Sequence, residues 1–143
     1  MRDKAHLEAA KAYAKLSKAK RLKVGAVICR DDRIISIGYN GMPSGSDNVC
    51  EIQVNSINGL DQVVKSYMTR PEVIHAESNA IAFAAKNGVA TDGCKLVLTH
   101  SPCFDCSRLI IQSGIKEVVY ETDYRDISGI DFLKENGVSV WKV

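Results

Sequence analysis

Two short motifs in this chain combine side chains that could hold a metal ion and move protons. One is His75-Ala76-Glu77, and the other is Pro102-Cys103-Phe104-Asp105-Cys106. The imidazole and the two thiols would hold zinc at three points and leave the fourth open for water, as catalytic zinc sites do. Because neutral imidazole and two thiolates cancel the charge of Zn²⁺, a water bound there could still lose a proton near neutral pH. The residue types therefore predict a hydrolytic zinc centre.

Glu77 is the candidate general acid and base of this centre. It lies two residues from His75, so its side chain need not point at the metal and can face the water and the substrate. A carboxylate in that place can take the proton of the water and pass it to a ring nitrogen and then to a leaving amine. The spacing thus predicts a proton shuttle beside the metal.

A closed structural zinc site is the alternative interpretation of these residues. It would need a fourth protein ligand, which Cys50 or Cys94 would have to supply. Cys94 immediately precedes an apolar segment and Cys29 lies within one, so both are more simply core residues. His6 and His100 have no partner pattern and are assigned structural roles. We therefore favour three protein ligands and one zinc per chain.

Both motifs are expected at the start of helices. Helix-forming residues extend over positions 75–87 and 103–113, and each segment is followed by a glycine that can end it. Cys103 and Cys106 are three residues apart, so a helix places both sulfurs on one face. The positive end of that helix, together with the metal, favours the thiolate form that ligation requires.

The remaining elements predict an α/β fold. Further helices are expected over residues 4–17 and 127–136, and strands over residues 24–29, 34–39, 95–99, 117–120 and 138–141. Residues 40–58 are rich in Gly, Pro, Ser, Asp and Asn and predict a long loop, followed by a marginal helix over residues 60–68. The order α-β-β-α-β-α-β-α-β predicts a mixed sheet of five strands between helical layers. Since no linker or repeat interrupts it, we expect a single domain over residues 1–143.

Composition narrows the class of protein. A chain of 143 residues with 45% hydrophobic and 25% charged residues is typical of one globular domain. A net charge of +2 and an aromatic content of 6% do not favour a nucleic-acid partner. Five cysteines, two of them as C-x-x-C, favour a reduced compartment and a metal site over disulfides. With no signal peptide and no apolar segment of about 20 residues, we expect a cytoplasmic protein without a membrane partner.

Longer stretches of the sequence resemble one enzyme family. They are residues 24–28, 38–43, 75–81, 102–106 and 109–118, within the region from Arg21 to Asp126. On these motifs the chain resembles the deoxycytidylate (dCMP) deaminases of the cytidine deaminase superfamily, in the short form found in phages. The zinc motif marks the superfamily, and the Gly-Tyr-Asn-Gly run after the predicted hairpin points to nucleotide substrates. The resemblance implies a three-layer α/β/α sandwich and hydrolysis of dCMP to dUMP and ammonia, feeding thymidylate synthesis.

The resemblance also implies roles for single residues. The three candidate ligands correspond to the zinc ligands of the family, and Glu77 corresponds to its proton shuttle. The backbone N–H of Ala76 corresponds to the group that reads the pyrimidine carbonyl, and the carbonyl of Ser101 corresponds to the acceptor for the departing amino group. Asn40 corresponds to a residue at the sugar and phosphate end. The alternative for Asn40 is a turn residue, because Asn-Gly is a strong turn signal.

Arg21 and Tyr124 are the phosphate partners that the resemblance implies. Physical chemistry supports Arg21, because a guanidinium fork matches phosphate oxygens and stays charged. Arg21 also belongs to a mildly basic stretch, over residues 15–23, that would otherwise be a solvated helix end and loop. For Tyr124, a packed loop aromatic is an equal alternative.

Regulation and assembly are implied by the resemblance alone. Family members are commonly homohexamers that dCTP activates and dTTP inhibits at a separate site holding Mg²⁺. The corresponding residues here are Gly38, Tyr39, Gly41, Met42, Asp47 and Asn48. Two departures from the family stand out. Some family members carry a second, structural zinc, for which the long loop here offers only Cys50. In addition, Ser78 occupies a position where an apolar residue is common in the family, and we expect no change in chemistry from it.

Three other functions could use the same zinc motif. Deamination of a base in tRNA or single-stranded DNA would call for a basic groove and stacking aromatics, which charge and composition disfavour. Deamination of a free nucleoside would leave Arg21 and the long loop without a role. A zinc module without catalysis would leave Glu77 without one.

Overall fold

The computed structural model describes residues 2–143, which form four helices and seven strands. The helices are α1 (Arg2–Ala14), α2 (Ala76–Lys86), α3 (Phe104–Gln112) and α4 (Ser128–Glu135). The strands are β1 (Gly25–Arg30), β2 (Arg33–Tyr39), β3 (Glu51–Ile57), β4 (Val63–Thr69), β5 (Lys95–His100), β6 (Glu117–Thr122) and β7 (Ser139–Lys142). Within residues 2–143, no helix combines the length and the apolar character needed to cross a membrane.

Five strands form one mixed sheet in the order β2-β1-β5-β6-β7. Strand β1 runs antiparallel to both β2 and β5, whereas β5, β6 and β7 are parallel. The parallel strands are joined through α3 and α4, because a parallel connection needs a crossover segment long enough to return the chain. The predicted sheet of five mixed strands is confirmed.

Helices cover both faces of this sheet. On one face, Leu7 and Ala10 of α1 pack over Val27, Val97 and Val119. On the other face, a larger apolar cluster lies beneath α2, α3 and α4. Because both faces are covered and successive strand residues point to opposite faces, the middle residues of β1, β5 and β6 are all buried. The predicted three-layer α/β/α sandwich is therefore confirmed.

Strands β3 and β4 form a separate two-stranded hairpin, and here two sequence predictions were wrong. The loop predicted for residues 40–58 gives way to β3 at Glu51, and residues 60–68, predicted as a marginal helix, form the hairpin tip and most of β4. Valine, tyrosine and threonine in β4 favour a strand over a helix. At the tip, the Asn58 side chain accepts the N–H groups of Leu60 and Gln62, which stabilises the turn.

Strand β2 lies directly against α2 because Gly38 puts no side chain between them. A Cβ at Gly38 would lie 2.3 Å from the carbonyl oxygen of Ala76 and 2.5 Å from the nitrogen of Ala80. The first turn of α2 is thus held at a fixed height above the sheet. That turn carries the first of the two sequence motifs.

Candidate active site

The two motifs meet where α2 and α3 begin. His75 is the N-cap of α2, and Cys103 is the N-cap of α3, where its sulfur accepts a hydrogen bond from the N–H of Cys106 at 3.4 Å. The predicted position of both motifs at helix starts is confirmed. Two positive helix ends therefore lie beside the same group of side chains, where they favour negatively charged ligand atoms.

Four potential metal-binding side chains converge at this point, and we call them the zinc cluster: His75, Glu77, Cys103 and Cys106. One ligand atom from each lies within 4.8 Å of all the others. The Nδ1 atom of His75 is 3.4 Å from each of the two sulfurs. Zinc bonds of about 2.0 Å to nitrogen and about 2.3 Å to sulfur, at tetrahedral angles, would separate those atoms by about 3.5 Å. The donor types and their spacing fit zinc.

The cysteines considered as a fourth ligand lie elsewhere. The Sγ atom of Cys50 is 3.7 Å from the carbonyl oxygen of Asn48, at the base of the hairpin. The Sγ atom of Cys94 faces the backbone carbonyls of Ala90 and Asp92. Among residues 2–143, the zinc cluster is the one group of three or more His, Cys, Asp or Glu side chains placed to hold a metal. This arrangement supports one zinc with an open position.

Glu77 is the buried carboxylate of the zinc cluster. It is only 4% exposed, and its Oε1 atom lies 4.0 Å from the Nδ1 atom of His75. Burial raises the pKa of Glu77 above its usual range, because the charged form is poorly solvated. A raised pKa makes the protonated form easier to reach, which suits a group that accepts and then returns a proton.

The pKa values of the two thiols of the zinc cluster are shifted in opposite directions. The neighbouring Cys106 thiol, helped by His75, lowers the pKa of Cys103, and the contact with Cys103 in turn raises the pKa of Cys106. The contact with Cys103 also raises the pKa of His75. A metal deprotonates a coordinating thiol outright. The hydroxyl of Ser78 lies 3.2 Å from the Cys106 sulfur, which gives it a local hydrogen-bond partner.

A pocket of about 70 Å³ opens onto the zinc cluster, and we call it the base pocket. Its lining residues are Val24, Asn40, His75, Ala76, Glu77, Ser101, Cys103 and Tyr124. Ala76 is the first residue of α2, where N–H groups have no acceptor within the helix. The Ser101 hydroxyl accepts the N–H of Tyr124 at 2.7 Å, which holds the two residues together. The structure thus brings four of the five predicted substrate contacts to one pocket.

Asn40 is tied into the local fold as well as lining the base pocket. Its Oδ1 atom accepts the N–H of Val24, and its Nδ2 atom donates to the carbonyl of Leu22, both at 2.8 Å. The Ser17 hydroxyl donates to the backbone carbonyl of Asn40 at 2.7 Å. Asn40 therefore fastens the end of β2 to the segment between α1 and β1.

A second pocket, of about 270 Å³, adjoins the base pocket and shares Asn40, His75 and Tyr124 with it. Two arginines are among its lining residues, so we call it the arginine pocket. Arg21 is the fifth predicted substrate contact, whereas Arg125 was missed. The available signal for Arg125 was its position next to Tyr124. Two guanidinium groups at one cavity can bind a phosphate dianion with charge-assisted hydrogen bonds.

Five of the six residues assigned to regulation line a third cavity, a groove of about 670 Å³: Gly38, Tyr39, Gly41, Met42 and Asn48. Asp47 is the exception, since it lies outside this lining and pairs with Arg70 at 2.9 Å. Asn40 lines the groove and both pockets. One residue therefore forms part of the wall of all three cavities.

Comparison with known proteins places this site in a family. Residues 1–122 match the family described as the cytidine and deoxycytidylate deaminase zinc-binding region. The deoxycytidylate deaminase of Enterobacteria phage T4 is 37% identical over 158 residues, covering 89% of this chain and 82% of the phage protein. The deoxycytidylate deaminase of Homo sapiens is 42% identical over 116 residues, covering 79% of this chain and 61% of the human protein.

A solved structure is similar over almost the whole chain. It is the dCMP deaminase of the cyanophage S-TIM5 in complex with dCMP and dUMP, with a TM-score of 0.85 and 40% sequence identity. The match covers 98% of this chain and 95% of the cyanophage chain. The resemblance to the dCMP deaminases inferred from the motifs is thus confirmed, and the chain belongs to the cytidine and deoxycytidylate deaminase family.

Proposed function

We propose that this protein is a zinc-dependent enzyme that hydrolyses dCMP to dUMP and ammonia. The main supporting observation is that the base pocket, which is lined by His75, Glu77 and Cys103 of the zinc cluster, adjoins the arginine pocket. A pyrimidine at the cluster would extend its 5′ phosphate toward the two guanidinium groups. The complex of the cyanophage relative with dCMP and dUMP supports the same substrate. Turnover of dCMP, deoxycytidine and a cytosine-containing oligonucleotide, measured side by side, tests this proposal.

The residues of the base pocket divide the work of the reaction. Zinc held by His75, Cys103 and Cys106 would supply Lewis-acid activation of a water molecule. Glu77 would take one proton from the attacking water and give it to the pyrimidine ring nitrogen. It would then take the proton of the new hydroxyl on the ring carbon and give it to the amine, which leaves as ammonia while the carbonyl of dUMP forms. The Ala76 N–H donates to the pyrimidine carbonyl, which fixes the orientation of the ring.

At the other side of the ring, the Ser101 carbonyl accepts from the departing amino group. Ser101 lies in the short connection between β5 and Cys103. One backbone segment therefore positions both the acceptor for the amine and a zinc ligand. The product dUMP would feed thymidylate synthesis. The cytoplasmic location and the lack of a nucleic-acid partner stay predictions from the sequence.

Replacing Arg21 by Ala is expected to raise the KM for dCMP by ~10–150-fold, since a lost charge-assisted phosphate contact is worth roughly 1.5–3 kcal/mol. Activity on deoxycytidine, which has no phosphate, should change little. Steady-state kinetics on both substrates measure this. Lys23→Ala is the matched control, because Lys23 is exposed, carries the same charge and lies outside the lining of the arginine pocket. Equal losses on both substrates would give Arg21 a folding role instead.

We further propose that the enzyme is a homohexamer regulated by nucleotides in the groove around Asn40. Oligomer formation is supported by the hairpin, where Ile57, Leu60 and Val63 are 73%, 76% and 65% exposed. An isolated two-stranded hairpin is marginal in water, and exposed apolar patches mark interfaces. Regulation is supported by Asn40, because this residue lines the groove and both substrate pockets.

With this arrangement, dCTP and Mg²⁺ should make dCMP saturation less sigmoidal, and dTTP should oppose that effect. Binding is reciprocal, so a substrate analogue should tighten dCTP binding by the same factor. The assays use subsaturating dCMP with each triphosphate alone and with both, on samples whose mass is measured by sedimentation. Hyperbolic kinetics that neither nucleotide changes would contradict regulation, and a mass of one chain would contradict the hexamer.

A further inference from the structure

Glu51 is a nearly buried carboxylate that the proposed chemistry does not use. It is 8% exposed and is the first residue of β3, at the base of the hairpin. Burying a carboxylate is costly unless hydrogen bonds compensate for the lost water. Its hydrogen-bond partners therefore indicate what the residue does.

Those partners are two successive N–H groups in the segment between α1 and β1. The Oε2 atom of Glu51 accepts the N–H of Lys20 at 2.9 Å and the N–H of Arg21 at 3.1 Å. Hydrogen bonds to an ionised acceptor are roughly twice as strong as those between neutral groups. Two of them on adjacent residues fix the backbone direction at Arg21, and hence the region that its side chain can reach.

The hairpin gives Glu51 a rigid base. The N–H of Arg70 donates to the carbonyl of Cys50 at 2.8 Å, and Glu51 pairs with Thr69 across the two strands. Asn40 fastens the same α1–β1 segment from the other side, through Leu22 and Val24. The backbone that carries Arg21 is thus held at two points by side chains from distant parts of the chain.

Charge alone would argue against an acidic residue here. Glu51 lines the arginine pocket together with Arg21 and Arg125, so its carboxylate would repel a bound phosphate. Repulsion and positioning have opposite effects on binding. If repulsion dominates, removing the carboxylate tightens the binding of dCMP, and if positioning dominates, removing it weakens that binding.

We propose that Glu51 is a positioning residue, which holds the Lys20–Arg21 backbone so that the Arg21 guanidinium faces the phosphate of the nucleotide. The inference rests on the proposed function, because it requires Arg21 to bind that phosphate. It adds a residue of the hairpin to the substrate site, although the hairpin lies outside the main sheet.

The test compares Glu51→Ala, Glu51→Asp and Glu51→Gln in the zinc-loaded enzyme. Glu51→Ala should raise the KM for dCMP roughly tenfold, the effect of losing a hydrogen bond to a charged group, with kcat changed less than about twofold. Glu51→Asp keeps the charge but shortens the reach, so its KM should also rise. Glu51→Gln keeps an acceptor oxygen at full reach, so its KM should stay within about threefold of the parent value. Kinetics on deoxycytidine, zinc content and Tm are measured for each variant.

A double variant separates positioning from general stability. In an Arg21→Ala background, Glu51→Asp should have no further effect on KM, because no guanidinium remains to be positioned. Additive effects, a lower KM in Glu51→Ala, or an equal loss on deoxycytidine would each overturn the inference. If Arg21→Ala itself leaves the KM for dCMP unchanged, the proposed phosphate recognition fails. If Arg21→Ala raises that KM and neither Glu51→Ala nor Glu51→Asp does, only the positioning role fails.

Discussion

Replacing Glu77 by Gln is expected to lower kcat for dCMP by ~10²–10⁴-fold, the usual contribution of a general acid or base. Glutamine has nearly the same shape but can neither accept nor return the proton. In the proposed site, His75, Cys103 and Cys106 hold the metal without Glu77, so the variant should keep about one zinc per chain. Turnover and zinc content, measured on the same sample, check both halves of this expectation.

Glu135→Gln is the matched control for that experiment. Glu135 lies exposed at the end of α4, outside the base pocket, so the same change of charge there should leave kcat unaltered. Near-parent activity in Glu77→Gln would remove Glu77 from the mechanism. Loss of zinc in that variant would instead make Glu77 a metal ligand.

Replacing Cys103 by Ala is expected to abolish both zinc binding and turnover. Only His75 and Cys106 would remain as ligands, and two ligands are too few for tight zinc binding by a site of this kind. The variant also loses the sulfur that caps α3 through the N–H of Cys106, so its Tm should fall. Because metal binding contributes to folding free energy, the loss of zinc adds to that destabilisation. Metal analysis and thermal unfolding measure these effects.

Cys50→Ala and Cys94→Ala are the controls, since these thiols are buried outside the zinc cluster. Each should retain one zinc and measurable activity. Loss of zinc in either would make the site a closed structural one. Two tightly held zinc ions in the parent protein would contradict the expectation of one per chain.

The zinc cluster could be predicted because its residues lie in two short motifs with characteristic spacing. Three-residue spacing on a helix fixes where two sulfurs point, and few other roles combine His, Glu and a C-x-x-C pair at helix starts. The central strands were predictable for a related reason. They are buried on both faces, so they appear as short apolar runs with clear ends.

The hairpin and the arginine pocket could not be predicted in the same way. Most residues of β3 and β4 are exposed, so no buried face imposes an alternating pattern, and polar loop composition hides the strands. Arg125 and Glu51 reach the pocket from loops and a strand end that are far apart in the chain. Their proximity arises only from how the elements pack, which short-range sequence patterns do not record.

The way in which the hairpin is attached makes it a natural grafting point for protein engineering. Its two ends leave the domain side by side, joined by the hydrogen bond between Arg70 and Cys50. Since the cost of closing a loop grows only slowly with its length, residues 52–68 can be shortened, extended or exchanged for a foreign peptide at small cost to the fold. An affinity tag or a reporter inserted there would leave the zinc cluster and Glu51 in place. Such fusions would make it possible to vary chain association without replacing any residue of the zinc cluster or Glu51.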